Sequence, residues 1–139
     1  MPLPDKNIPS PLSADIDLGL NNVSVANGIE QEGTVFDNTV TRYAYLRLVL
    51  TYSYATAPTA NKTVEVRVKR QVTDTTFEDR SKVIGADSPP ADAAGHSNVI
   101  AEFFPIVAAK YKFSIKNVDT GQTGTFTLTA QGHYEELAE

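Results

Sequence analysis

Tyr43-Ala-Tyr-Leu-Arg-Leu-Val-Leu-Thr-Tyr-Ser-Tyr54 decides the fold class. Successive side chains of a strand point to opposite faces. Ala44, Leu46, Leu48, Leu50, Tyr52 and Tyr54 then share one face, which must be core. Tyr43, Tyr45, Arg47, Val49, Thr51 and Ser53 share the other, which meets solvent or a partner. If these faces are right, Leu48→Ala costs roughly 2–5 kcal/mol as a buried truncation. Arg47→Ala should cost little unless an interface uses it.

The same period of two recurs outward from this stretch. Val64, Val66 and Val68 alternate with Glu65, Arg67 and Lys69, and the spacing predicts a hairpin between this segment and Tyr43–Tyr54. Tyr111, Phe113 and Ile115 alternate with Lys110, Lys112, Ser114 and Lys116, which make a solvated basic stripe. In the last strand Phe126, Leu128, Ala130, Gly132 and Tyr134 oppose Thr125, Thr127, Thr129, Gln131 and His133. Shorter strands are expected at Val23–Val25, before the Asn27-Gly28 turn, at Gly33–Phe36, and at Val99–Phe104, ended by Pro105. Gln71–Lys82 is weakly strand-like around Phe77. Gly85–Gly95, with Pro89 and Pro90, reads as an exposed loop because proline cannot pair in a ladder.

About seven to eight strands with frequent turn signals predict an all-β antiparallel sandwich, immunoglobulin-like or jelly-roll-like. Pro2, Pro4, Pro9 and Pro11 keep the first residues out of helix and sheet interiors. Residues 1–14 therefore form an extended arm and 15–139 one sandwich domain. The arm could order against a neighbouring subunit through Pro4, Ile8, Pro9 and Leu12.

Composition removes several function classes. A chain of 139 residues can bury a real core. It has no cysteine, hence no thiolate metal site or thiol nucleophile. Seventeen acidic against twelve basic residues argue against a nucleic-acid partner. No apolar run approaches the roughly 20 residues of a membrane helix. Met1–Leu12 lacks a charged-then-apolar leader, so an origin in the cytoplasm is expected.

The sequence has no phosphate-cradling glycine motif and no HExxH. His96 and His133 are the only histidines, too few for a histidine metal site in one chain. Asp15 and Asp17, and Asp74, Glu78 and Asp79, lack EF-hand spacing. Catalytic residues, metal and cofactor are all expected to be absent. The surfaces left are the arm, the face of Tyr45, Arg47 and Val49, the loop at Pro89 and Pro90, and the face of Thr127, Thr129 and His133. Tyrosines that could serve as aromatic platforms (Tyr43, Tyr45, Tyr54) keep a carbohydrate-binding or adhesive module in view, although tryptophan is missing.

Three pieces together resemble small virion-associated proteins of tailed bacteriophages. They are Glu32-Gly33-Thr34-Val35 ahead of Tyr43–Leu50, then Thr76-Phe77-Glu78-Asp79, then Phe103-Phe104-Pro105-Ile106 followed by Tyr111–Asn117 and Gly121-Gln122-Thr123. The resemblance spans roughly residues 30 to 136 as a pattern of strands and turns. It implies a non-enzymatic virion component assembled in the host cytoplasm. The role would be a capsid cement or decoration protein that bridges subunits, or else a tail or baseplate part. It also implies major capsid or tail proteins as partners and a homo-oligomer, with a trimer common among such proteins.

Overall fold

The computed structural model describes residues 7–9, 12–105 and 109–137. Its strands are β1 (Asn7–Pro9), β2 (Ile16–Asp17), β3 (Val23–Val25), β4 (Glu30–Asp37), β5 (Tyr45–Tyr54), β6 (Val64–Arg70), β7 (Lys82–Asp87), β8 (His96–Phe103), β9 (Lys110–Asn117), β10 (Gly124–His133) and β11 (Glu135–Leu137). All pairings are antiparallel. Nine strands form two packed sheets. One is five-stranded, ordered β2-β10-β5-β8 with β3 also on β10; the other is four-stranded, ordered β4-β9-β6-β7.

This order has a simple origin. β2 and β3 pair with β10, β4 with β9, β5 with β8, and β6 with β7. The chain is thus one long nested hairpin rolled into two sheets, which is the jelly roll and not the immunoglobulin arrangement. The expected β5–β6 hairpin does not form, because these strands lie in opposite sheets. Alternation tells which face of a strand is buried, not which strand lies beside it. The apolar faces of β5 and β6 meet across the core instead of edge to edge.

The core follows the sequence pattern. Leu46, Leu48, Leu50, Phe126, Leu128 and Ala130 line one sheet, and Val64, Val66, Tyr111, Phe113 and Ile115 the other. Leu48 is 0% exposed and its neighbour Arg47 only half-buried. Urea melts should therefore show Leu48→Ala losing roughly 2–5 kcal/mol and Arg47→Ala much less. If Arg47→Ala proved the costlier, the inner and outer faces would be reversed.

Glycines let the two sheets close at their edges. A Cβ on Gly33 would sit 2.2 Å from the Leu18 carbonyl oxygen. The neighbouring Thr34 amide donates to that oxygen at 3.1 Å. On the opposite edge a Cβ on Gly85 would lie 2.4 Å from the Ile100 carbonyl oxygen. Both β7 and β8 carry a register shift near this contact. Gly85–Asp87 therefore belongs to β7, and the exposed loop begins only at Ser88. Gln71–Ser81 is loop, apart from a bridge between Gln71 and Phe77.

The N-terminal segment runs along its own chain. β1 pairs with β11, from Asn7↔Leu137 to Pro9↔Glu135. The Ser13 amide donates to the Gly132 carbonyl at 3.0 Å, and the Gly132 amide donates back to Ser13 Oγ at 3.0 Å. Pro9 is tolerated there because this short ribbon is not a sheet interior.

Candidate interaction face

The outer face of the five-stranded sheet collects most of the sequence-selected residues into rows. Antiparallel register places side chains of β10, β5 and β8 directly abreast. The end row is aromatic: His133 lies beside Tyr45, with ring centroids 5.5 Å apart, and Phe104 lies 5.5 Å from Tyr45 on the other side. The next row is Gln131, Arg47 and Glu102. Then come Thr129, Val49 and Val99, and then Thr127, Thr51 and Ser97. Tyr45, Arg47, Val49, Thr127, Thr129 and His133 thus share one surface.

Hydrogen bonds fix these side chains from below and from the flank. Arg47 Nη2 donates to Gln131 Oε1 at 2.5 Å, while the buried Arg47 Nε has no hydrogen-bond partner. Tyr45 Oη donates to Glu102 Oε1 at 3.2 Å. Burial and that carboxylate both push the Tyr45 phenol above its ordinary pKa. Gln131 Nε2 donates to Asp15 Oδ1 at 3.1 Å, and the Asn22 amide donates to Thr127 Oγ1 at 3.0 Å. The Thr51 and Ser97 hydroxyls are hydrogen-bonded to each other.

Apolar surface stays open beside these polar groups. Phe104 is 70% exposed and Val99 is 58% exposed. Both escaped the sequence reading, together with Glu102. The bulge at Ile100 shifts the alternation of β8, so its faces cannot be counted off from the sequence. The tandem Phe103-Phe104 carried a hint, since neighbours in a strand cannot both point inward. Phe103 packs edge-on to Phe113 at 5.5 Å, and Phe104 is left outside.

The other selected residues lie elsewhere. Ile8 and Pro9 are in β1, and Leu12 is half-buried just before Ser13. Pro4 lies outside the described residues. Pro89 is buried and offers no surface, whereas Pro90 is exposed. That loop borders the start of β8, where His96 Nε2 meets Asp92 Oδ1 at 2.8 Å. Of the tyrosines, Tyr54 is 3% exposed and Tyr43 packs against the core, so only Tyr45 remains on the face.

The outer face of the four-stranded sheet neutralises itself. Glu32 takes Lys69 at 3.1 Å and Lys112 at 3.4 Å. Arg67 pairs with Glu65 at 3.0 Å. Burial raises the Glu30 pKa, but hydrogen bonds from Ser114 and Ser81 and the charge of Arg67 outweigh it and leave the pKa below the ordinary value. Ser114, read as outward, indeed points there but is covered, at 2% exposed, with its hydroxyl on Glu30. Of the basic stripe, Lys112 is thus held by a carboxylate of its own sheet.

Glu78 beside this sheet gives a pH test. Hydrogen bonds from the Arg70 side chain and backbone, and from Lys82, hold its pKa at about 2 against 4.5 for a free carboxyl. A depressed folded-state pKa stabilises the fold above the unfolded value and loses that stability as pH falls. The Glu78→Gln variant should thus be less stable than the parent at pH 7. The gap should shrink below about pH 4.5 and close near pH 2, as read by thermal melts across pH. A gap independent of pH would contradict this account.

Among the described residues no group of three or more His, Asp or Glu side chains is placed to hold a metal ion. No described helix is long and apolar enough to cross a membrane.

No protein-family model matches the chain, and no curated protein matches it. Solved structures do share the fold. A chain of infectious bursal disease virus, Gx strain, superposes over 93% of this chain with a TM-score of 0.51 and 8% identity. The N-terminal CBM22-1–GH10 modules of the Clostridium thermocellum endo-1,4-β-D-xylanase 10B, solved with xylohexaose, superpose over 87% with a TM-score of 0.51 and 10% identity. This chain spans only 32% and 28% of the lengths of those two chains. At such identities the likeness is one of fold alone, an all-β, two-sheet sandwich.

Proposed function

We propose that this chain is a non-enzymatic virion structural protein of a tailed phage, a capsid cement that bridges and stabilises subunits. Its contact surface is the outer face of the five-stranded sheet. The observation that carries this reading is the contrast between the two sheets. One outer face is crossed by ion pairs, Glu32 with Lys69 and Lys112 and Arg67 with Glu65, and its exposed large apolar side chains are the valines Val35 and Val83. The other leaves Phe104 and Val99 open beside Tyr45 and Arg47. Exposed apolar groups rimmed by polar ones are the usual mark of a contact site.

The jelly-roll architecture, common in viral capsid and lectin domains, supports the reading, as does the fold likeness to the virus chain. Fold alone does not give function, so the weight rests on the face. A tail or baseplate position would use the same surface. A carbohydrate-binding role is the second reading, favoured by the exposed Tyr45–Phe104 edge and by the fold likeness to the xylanase modules solved with xylohexaose. The burial of Tyr54 and the packing of Tyr43 remove two of the three aromatic platforms it would need.

Cosedimentation with assembled capsids tests the proposal. The purified chain should bind, and particles lacking it should rupture at lower temperature. Thr129→Asp, on the β10 side of the face, should abolish binding. Absence of binding together with equal particle stability would dismiss the cement role, and a glycan-array hit lost on Tyr45→Ala would move the assignment to the second reading.

A further inference from the structure

We propose that the partner on the β5–β8 half of this face is a second copy of the chain, stacked sheet on sheet about a two-fold axis that runs along the strands midway between β5 and β8. The proposal rests on the reading of this face as a contact surface and names what covers it. An axis parallel to the strands keeps each row opposite the same row of the other copy. Placed between β5 and β8, it sets β5 of one copy over β8 of the other. Every row then meets its complement. Arg47 faces Glu102, Val49 faces Val99, Tyr45 faces Phe104, and Thr51 faces Ser97.

Other axes fail on charge or on apolar burial. An axis along β5 itself would press Arg47 against Arg47 of the second copy. One running across the strands at the Val49 row would bury Arg47 over Thr51, with no counter-charge. One between β5 and β10 would give tolerable pairs, such as Arg47 over Gln131, yet would leave Phe104 and Val99 near the rim and uncovered.

The isolated chain leaves the two charges of this face without a counter-charge. Among the ion pairs of the described residues, Arg47 and Glu102 are not joined to each other. Arg47 instead reaches Gln131 with Nη2, and the exposed Glu102 accepts from Tyr45 Oη, so neither charge meets an opposite one within the chain. The side chains on the central rows are short or β-branched, so a second sheet can approach to the ordinary stacking distance of about 10 Å. Such an interface is isologous, and Arg47 and Glu102 occur twice in it.

Sedimentation velocity on the full chain, across a dilution series, tests this. The parent should sediment at twice the chain mass. Arg47→Glu and Glu102→Arg should each weaken self-association by at least about tenfold. The double variant R47E/E102R should recover most of that loss, because the two charges only change sides. Val99→Asp alters a residue already 58% exposed, so it should fold normally and sediment as a monomer. A monomeric parent, a double variant no tighter than the singles, or an undisturbed Val99→Asp dimer would each overturn the two-fold. Capsid cosedimentation of the same proteins separates the two ideas. A monomer that still binds capsids removes the dimer and leaves the cement role. A dimer that ignores capsids does the reverse.

Discussion

Asn117→Ala is expected to cost about 3–5 kcal/mol, among the largest losses any single polar truncation here would produce. Asn117 ends β9 and is 0% exposed. Its Nδ2 donates to the Val25 carbonyl at 2.9 Å and to the Gln122 carbonyl at 2.7 Å. Its Oδ1 accepts from Tyr54 Oη at 3.3 Å and from Thr120 Oγ1. Its backbone also bridges to the Asn27-Gly28 turn: the Gly28 amide donates to Asn117 O at 2.6 Å, and the Asn117 amide donates to Ile29 O at 3.0 Å. One side chain thus ties the β3–β4 turn, the β9–β10 turn and the end of β5. Truncation leaves the backbone bonds but strands several buried polar groups, each worth roughly 1–3 kcal/mol when unsatisfied. Urea unfolding would measure it. A loss under about 1 kcal/mol would mean that water replaces the amide and that this end is looser than described.

Phe113→Ala should cost a similar amount, about 3–5 kcal/mol, for a different reason. Phe113 is 0% exposed in the middle of β9. Its ring meets Phe103 edge-on at 5.5 Å and Phe36 at 6.2 Å. Phe103 is the end of β8 in one sheet, while Phe36 and Phe113 belong to the other. The ring therefore fills the space between the sheets, and its loss leaves a cavity the closed edges at Gly33 and Gly85 cannot collapse. Loosened Phe103 would also release its neighbour Phe104 and the aromatic row. Phe113→Leu should recover more than half of the lost stability. Equal losses for leucine and alanine would show that edge-to-face geometry, not volume, holds this site.

How legible this molecule is in its sequence depends on the range of the interaction. Facing is local. It follows from a period of two, and Leu46 to Tyr54, Val64 to Val68 and Phe126 to Ala130 are buried as their alternation predicts. Pairing is not local. Nothing in β5 or β6 specifies that one pairs with β8 and β10 and the other with β7 and β9, so the predicted hairpin was an inference from proximity alone. Turns mislead for the same reason: Gly85 looked like a loop residue, but its missing side chain serves a contact with Ile100, fifteen residues on. The face was half readable. β5 and β10 gave six of its residues by parity, whereas the bulge in β8 hid Val99, Glu102 and Phe104. Asn117 closes β9 just before a turn, and no local pattern marks it as the buried centre of that end.

The central claim is that the outer face of the five-stranded sheet is where this protein meets its assembly. Cryo-electron microscopy of the virion to which the proposed function assigns the chain tests it most directly, because the sandwich is asymmetric enough to be oriented in a map. The account predicts density packed against the rows of Tyr45, Arg47 and Val49, with the Glu32–Lys69–Lys112 side of the molecule turned to solvent. A map with the Tyr45 face open to solvent and the charged sheet in contact would contradict it.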